Sequence, residues 1–230
     1  MTTQRFKENI SEVKEKIAAA AAKAGRAAEE VTLVGVTKYV DAAVTREFAD
    51  AGHRVLGENR PQQMVQKQES LAEMNIEWHL IGHLQRNKAK RMVELATLIH
   101  SVDSLRLLKA IDGYAAEQGK VARVLLEVNV SGEQAKHGFT PAELPVIVEA
   151  AGDFSSTQVD GLMAMAGLVG DQTDAQREFA SLRELADRTA ATGLPANVQM
   201  KDLSMGMSGD FEIAIQEGAT LVRVGSALFK

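Results

Sequence analysis

The sequence predicts an α/β fold: a single (β/α)8 TIM barrel domain over residues 1–230, with a leading N-terminal helix. Three observations predict it. Short β-branched runs alternate with helix-length amphipathic stretches along the chain, eight such runs can be counted, and the unit recurs every roughly 25–30 residues, the span of one βα pair. Alternation of this kind implies parallel strands with right-handed crossovers, either as an open doubly wound sheet or as a closed barrel. Eight strands favour the barrel.

Residues 2–23 carry Phe6, Ile10, Val13 and Ile17 at helical spacing and run into alanines before Gly25, so they are expected to form the leading helix. Strands are expected at 31–36 (VTLVGV), 53–57 (HRVLG), 77–82 (EWHLIG), 97–102 (TLIHSV), 122–130 (ARVLLEVNV), 156–163 (STQVDGLM), 197–204 (NVQMKDLS) and 220–225 (TLVRVG). Helices are expected near 41–51, 59–73, 86–95, 103–118, 141–151, 172–191 and 208–217. The chain stops at Lys230, soon after the eighth strand, so the leading helix is expected to fill the gap in the outer ring.

Hydrophobic residues make up 45% of the chain and charged residues 25%, with 4 prolines, the profile of an ordinary soluble globular protein with a sizeable core. With 26 basic against 31 acidic residues and no block of like charge, a general attraction to nucleic acid or to a membrane surface is not expected. Any phosphate-bearing partner must be held locally. No apolar run approaches the roughly 20 residues that span a bilayer, and the N-terminus lacks a signal-peptide core, so a cytoplasmic location is expected. The absence of cysteine excludes disulfides, thiolate metal sites and cysteine nucleophiles.

In a barrel of this kind the reactive groups gather at the carboxyl ends of the strands. Lys38 follows the first strand, GEN (57–59) the second, GHLQRNK (82–88) the third, MAMAG (163–167) the sixth, SMGMSGD (204–210) the seventh and RVGSALF (223–229) the eighth. A lone strand-end lysine usually snorkels to solvent, but at a desolvated rim its amine can attack an aldehyde. The SMGMSGD loop offers backbone N–H groups to a phosphate, or is an ordinary turn with Ser208 or Asp210 as helix cap. In the next loop Gly225 permits close backbone approach, and Ser226 offers an amide and a hydroxyl. Two adjacent loops after strands seven and eight occupy the place where barrels hold phosphate.

Barrel closure makes the first strand a neighbour of the eighth, so Lys38 and Arg223 would flank one pocket. A cofactor with an aldehyde at one end and a phosphate at the other, such as pyridoxal 5'-phosphate, would fit such a pocket, a barrel enzyme acting on a phosphorylated metabolite with no cofactor being a weaker alternative. Asn59 could face its ring or cap the helix after the second strand, the cap being the more usual role. Met163 and Met165 could line an apolar wall or simply pack in the core. His79 and His83 have no carboxylate cluster beside them in the sequence, so packing or hydrogen bonding is expected of them and no metal site.

Together LVGVTKY, RVLGENRPQQ, EWHLIGHLQRNK, GLMAMAG and LSMGMSGDFEIAIQEGATLVRVGSALF, in this order across nearly the whole chain, resemble the YggS/PROSC family of pyridoxal phosphate homeostasis proteins. WHLIGHLQRNKAKRM is similar to the family signature, with Leu80 where Phe or Met is usual and Met92 where Leu, Ile or Val is usual. The resemblance implies a fold-type III pyridoxal phosphate (PLP) barrel, related to the N-terminal domain of alanine racemase, that carries the cofactor as an imine on Lys38. It implies Arg223 against the pyridine nitrogen, Ser204, Met207, Ser208, Gly225 and Ser226 around the phosphate, and Asn59 and Met163 near the ring. It further implies a role in vitamin B6 homeostasis, with PLP-dependent apo-enzymes as candidate recipients and no established catalytic activity. Relatives usually continue for several residues beyond the final LFK.

Carrier and enzyme differ in what they require. An arginine at the pyridine nitrogen donates a hydrogen bond and discourages ring protonation, which weakens the electron sink. Racemisation also needs an acid or base on each face, and Lys38 serves one. Of the two tyrosines, Tyr39 follows the lysine and Tyr114 lies in an expected helix, and no residues remain for a second domain. A monomeric PLP-binding protein is therefore expected, with a monomeric amino-acid racemase or lyase as the alternative.

Overall fold

A computed structural model describes residues 2–133, 137–167 and 171–230. Helix α1 (Thr3–Lys23) opens the chain, its first turn capped by the Thr2 hydroxyl, which accepts from the Arg5 N–H. There follow β1 (Thr32–Val36), α2 (Ala42–Asp50), β2 (Val55–Glu58), α3 (Pro61–Ser70), β3 (Glu77–Leu80), α4 (Arg86–Leu95), β4 (Leu98–Val102) and α5 (Leu105–Glu117). The second half comprises β5 (Ala122–Glu127), α6 (Leu144–Ala151), β6 (Thr157–Met163), α7 (Gln172–Ala190), β7 (Val198–Met207), α8 (Phe211–Gln216) and β8 (Leu221–Val224).

Neighbouring strands pair in parallel, and β8 returns to β1 with Val34 opposite Arg223 and Gly35 opposite Val224, so the barrel closes in sequence order. Closure leaves no sheet edge exposed. The barrel interior is packed: Val34, Leu98, Leu125, Met163 and Leu221 form one buried cluster drawn from five strands. A larger apolar core joins the strands to the helices around them.

Helix α1 takes the place expected for it, packed against α8 on one side and α2 on the other. It buries Phe6, Ile10, Val13 and Ile17. Phe6 meets Phe48 and Phe229 edge-on, with ring centroids 5.4 and 5.6 Å apart. Asn9 Nδ2 donates to Leu228 O at 2.9 Å, which ties the first helix to the segment after the last strand.

Several boundaries differ from the sequence expectation, among them those of β7, β5 and α3. Strand β7 runs on to Met207 through a pairing irregularity with β8 between Ser204 and Met207. Gly206 permits this, since its φ is +90° and a Cβ there would lie 2.5 Å from Ala214 Cβ. Strand β5 stops at Glu127, beyond which Val128 forms an isolated bridge with Phe139. The stretch expected as one helix over 59–73 starts at Pro61, whose fixed φ suits the first helical position, and breaks at Leu71 before a short 3-10 turn (Ala72–Met74). Among the described residues no helix is long and apolar enough to cross a membrane.

Candidate functional site

Lys38 enters the turn between β1 and α2, half-buried, directly after the fully buried Thr37. Among the described residues its Nζ meets no carboxylate, and it lies 4.9 Å from the centre of the Tyr39 ring. The backbone that carries it is held firmly. Lys67 Nζ donates to Thr37 O at 2.7 Å and to Glu58 Oε2 at 2.5 Å, and Thr37 Oγ1 donates to the same carboxylate oxygen at 3.1 Å. The other oxygen, Glu58 Oε1, accepts from Asn59 N at 3.0 Å. One buried carboxylate thus fixes the residue before Lys38 and the residue after β2. A buried ion pair persists only when its remaining hydrogen-bonding positions are also satisfied, as they are here.

Asn59 is not the cap of α3. That position belongs to Arg60, which makes no side-chain cap bond. The Asn59 Oδ1 atom is buried and, among the described residues, has no hydrogen-bond partner, a costly arrangement for an amide oxygen and one that suits a donor from a bound molecule.

Across the β1–β8 seam, Arg223 is buried in β8 with its guanidinium engaged twice: Nη1 donates to Ser204 Oγ at 2.5 Å and Nη2 to Ala164 O at 2.9 Å. Ser204 Oγ also lies 2.8 Å from His100 Nδ1, and His100 Nε2 lies 3.0 Å from His79 Nδ1. Because arginine only donates, the Ser204 hydroxyl proton goes to His100 Nδ1, and the Nε2–H of His100 then donates to His79. Burial lowers the Arg223 pKa to about 10, opposed by Asp210 and Glu127, so the guanidinium is still charged at neutral pH. Burial, aided by Arg123, lowers His79 to about 4. Burial, then His79 and Arg223, holds His100 well below its ordinary range. Both rings are neutral links in a chain of donors.

The loops after β7 and β8 meet, with Gly225 N donating to Ser208 Oγ at 3.1 Å. Asp210 Oδ1 braces the first loop by accepting from Met207 N at 2.5 Å. Asp210 is the cap residue of α8 but makes no side-chain bond to that helix. Among the described residues the backbone N–H groups of Gly209, Ser226 and Ala227 donate to no protein acceptor, as an anion cradle requires. Ser226 and Met207 are exposed at the rim, whereas Met163 is buried with the barrel-interior cluster. Ser204 is a strand residue committed to Arg223 and His100, because β7 continues past it.

Several site residues escaped the sequence reading. His100 in LIHSV and Glu127 in LLEV are polar residues inside strand-forming runs, a signal that could have marked them as inward-facing. Burial, then the nearby Asp103, raises Glu127 to about 7. The expectation that no carboxylate accompanies His83 is corrected: His83 Nδ1 lies 3.1 Å and His137 Nδ1 3.7 Å from Asp103 Oδ2. Successive strand ends bring together what the sequence holds apart.

Residues 2–230 match the family described as alanine racemase, N-terminal domain. The chain is 41% identical over 222 residues to the pyridoxal phosphate homeostasis protein of Aquifex aeolicus, covering 96% of each chain. It is 36% identical over 225 residues to the protein of that name from Escherichia coli K12, covering 96% of this chain and 94% of the other. Among solved structures, PipY of Synechococcus elongatus with PLP bound superposes with a TM-score of 0.86 at 34% identity, covering 98% of this chain and 100% of that one. An alanine racemase of Clostridium difficile shares the fold at a TM-score of 0.76 and 14% identity, over 98% of this chain and 55% of that one. The chain therefore belongs to the alanine racemase N-terminal-domain family and, within it, to the pyridoxal phosphate homeostasis proteins.

Proposed function

We propose that this chain binds PLP reversibly through Lys38 and limits the free aldehyde, without turning over a substrate of its own. The observation that carries this reading is the β1–β8 seam, where Val34 pairs with Arg223 and so brings the strand leading to Lys38 beside the guanidinium and its neighbouring N–H cradle. The relatives' names and the PLP-bound PipY structure support it.

When bound, the cofactor would supply an aldehyde carbon for the Lys38 amine to hold and an electron-accepting ring. Arg223, charged at neutral pH, would hold the pyridine nitrogen as a donor only and discourage its protonation. Ser204 acts through Arg223 by holding its Nη1. The Ser208 hydroxyl, the N–H groups of Gly209 and Ser226 that are free among the described residues, and the close backbone approach at Gly225 would hold the phosphate, with Met207 at the rim of the same loop. Asn59, whose buried oxygen is unpartnered among the described residues, and Met163, buried in the barrel-interior cluster, would hold the ring.

This reading makes the chain one barrel domain over residues 1–230, monomeric and cytoplasmic, with PLP-dependent apo-enzymes as recipients. Tyr39 is almost fully exposed in the turn and Tyr114 packs from helix α5, so neither is set to act as the second acid or base of a racemase. Incubation of the PLP-loaded chain with single amino acids in deuterated water tests the point. Exchange of the α-proton no faster than with free PLP is expected, and rapid exchange with turnover would replace the carrier reading by a racemase or lyase.

A further inference from the structure

We infer that His83, Asp103 and His137 form a binding site for a divalent transition-metal cation of the zinc type, across the barrel mouth from Lys38. The three residues follow the carboxyl ends of consecutive strands, β3, β4 and β5. Lys38 and the Ser226 loop follow β1 and β8, so in the closed strand order the two groups sit on opposite sides of one rim.

The donor atoms converge. His83 Nδ1 and His137 Nδ1 lie 3.1 and 3.7 Å from the same oxygen, Asp103 Oδ2, and all three ligand atoms fall within 4.8 Å of one another. A zinc-type ion bound at about 2.0–2.2 Å holds tetrahedral N and O ligands about 3.3–3.6 Å apart, so small side-chain movements complete the geometry. The imidazoles stack with centroids 4.2 Å apart and 18° between planes. A hydrogen-bonded His–Asp pair needs one imidazole; a second, stacked on the first and aimed at the same oxygen, gives three lone pairs with one focus.

The backbone fixes this convergence. Ser101 Oγ donates to Gly82 O at 2.6 Å, which joins the end of β4 to the loop just before His83. On the far side, Phe139 N donates to Glu127 O at 2.8 Å and Asn129 N to Phe139 O at 2.9 Å, so the segment after His137 is paired to the end of β5. Gly138 makes that approach possible: its φ is +112°, and a Cβ there would lie 2.9 Å from Glu127 O. His137 is thus delivered by chain anchored on a strand.

Two imidazoles with one carboxylate favour zinc, cobalt, nickel or copper over magnesium and calcium, which take oxygen ligands. Both histidines are open to solvent, which leaves a coordination position for water or an outside ligand. Acid weakens such a site as protons take the imidazole lone pairs.

The test is titration of the untagged, full-length chain with Co2+, read by its visible d–d absorption, followed by displacement with Zn2+. One cobalt per chain is expected, displaced by zinc. Affinity should fall at least about tenfold in His137→Gln and in Asp103→Asn, with circular dichroism unchanged. Lys38→Ala should bind cobalt as the parent does, and His137→Gln should still load PLP, so failure here is distinguishable from failure of the cofactor reading. Absence of binding at millimolar cobalt, or affinity unchanged from the parent in both ligand variants, would overturn the inference, as would binding lost in Lys38→Ala alone.

Discussion

Ser204 Oγ stands 2.5 Å from Arg223 Nη1 and 2.8 Å from His100 Nδ1, so one buried hydroxyl couples the guanidinium to a histidine pair inside the barrel. Ser204→Ala removes the acceptor of one and the donor of the other. It should cost about 1–3 kcal/mol of stability, the range for leaving buried polar groups unpaired. Because Arg223 loses its restraint, PLP affinity should fall as well. Urea unfolding and spectral titration with PLP check the two effects, and unchanged values in both would contradict the coupling.

Lys67→Met leaves the carboxylate of Glu58 buried without its cation and takes a donor from the Thr37 carbonyl. A loss of about 3–5 kcal/mol is expected on removing one partner of a buried pair. The same substitution should weaken PLP binding at Lys38, since the preceding residue is no longer held. Chemical denaturation gives the first number and equilibrium titration the second.

Phe6→Ala should cost about 3–5 kcal/mol, because Phe6 is fully buried between Phe48 and Phe229 and its loss opens a cavity. The damage should be greatest where α1 meets α2 and the final residues. Hydrogen exchange would show it as lost protection in α1 ahead of the strands.

Acid should destabilise the fold. Burial, then Lys14, lowers His53 to about 4, while burial and then Arg123 lower His79 to about 4; burial first and then His79 and Arg223 lower His100 well below its usual value. Between about 6.5 and those values the unfolded chain binds protons that the folded chain refuses, so their stability is present above about pH 6.5 and drains as pH falls. Glu127, raised to about 7, acts in the opposite sense, its contribution being full below its ordinary 4.5 and lost as pH rises through about 7. Asp202, raised by burial and then by Asp160, acts in the same sense as Glu127, and three imidazoles against two carboxyls leave a net loss toward acid, at about 1.4 kcal/mol per pH unit for each uncompensated proton. The urea midpoint should therefore be lower at about pH 5 than at about pH 7; a flat or rising midpoint would contradict the neutral state of the buried rings.

The barrel was legible because β-branched runs and amphipathic stretches alternate without interruption, and because the apolar face of α1 could be read from Phe6 to Ile17. Lys38, Arg223 and Ser226 were legible as strand-end residues, since strand ends follow from the period alone. Asn59 was harder: α3 starts at Pro61 rather than at the expected 59, which puts the cap at Arg60 and leaves the amide oxygen unpartnered among the described residues. Ser204 ends the expected seventh strand, and nothing local announces that Gly206 carries β7 onward to Met207. The meeting of His83, Asp103 and His137 depends on how three loops turn over the rim, which no single stretch encodes.

Borohydride reduction of the PLP-loaded chain, followed by mass mapping of its peptides, tests the central claim most directly. The cofactor mass is expected on the peptide containing Lys38, and it should vanish in Lys38→Ala while circular dichroism stays unchanged. Labelling of another lysine, such as the buried Lys67, or labelling that persists in Lys38→Ala, would contradict the account.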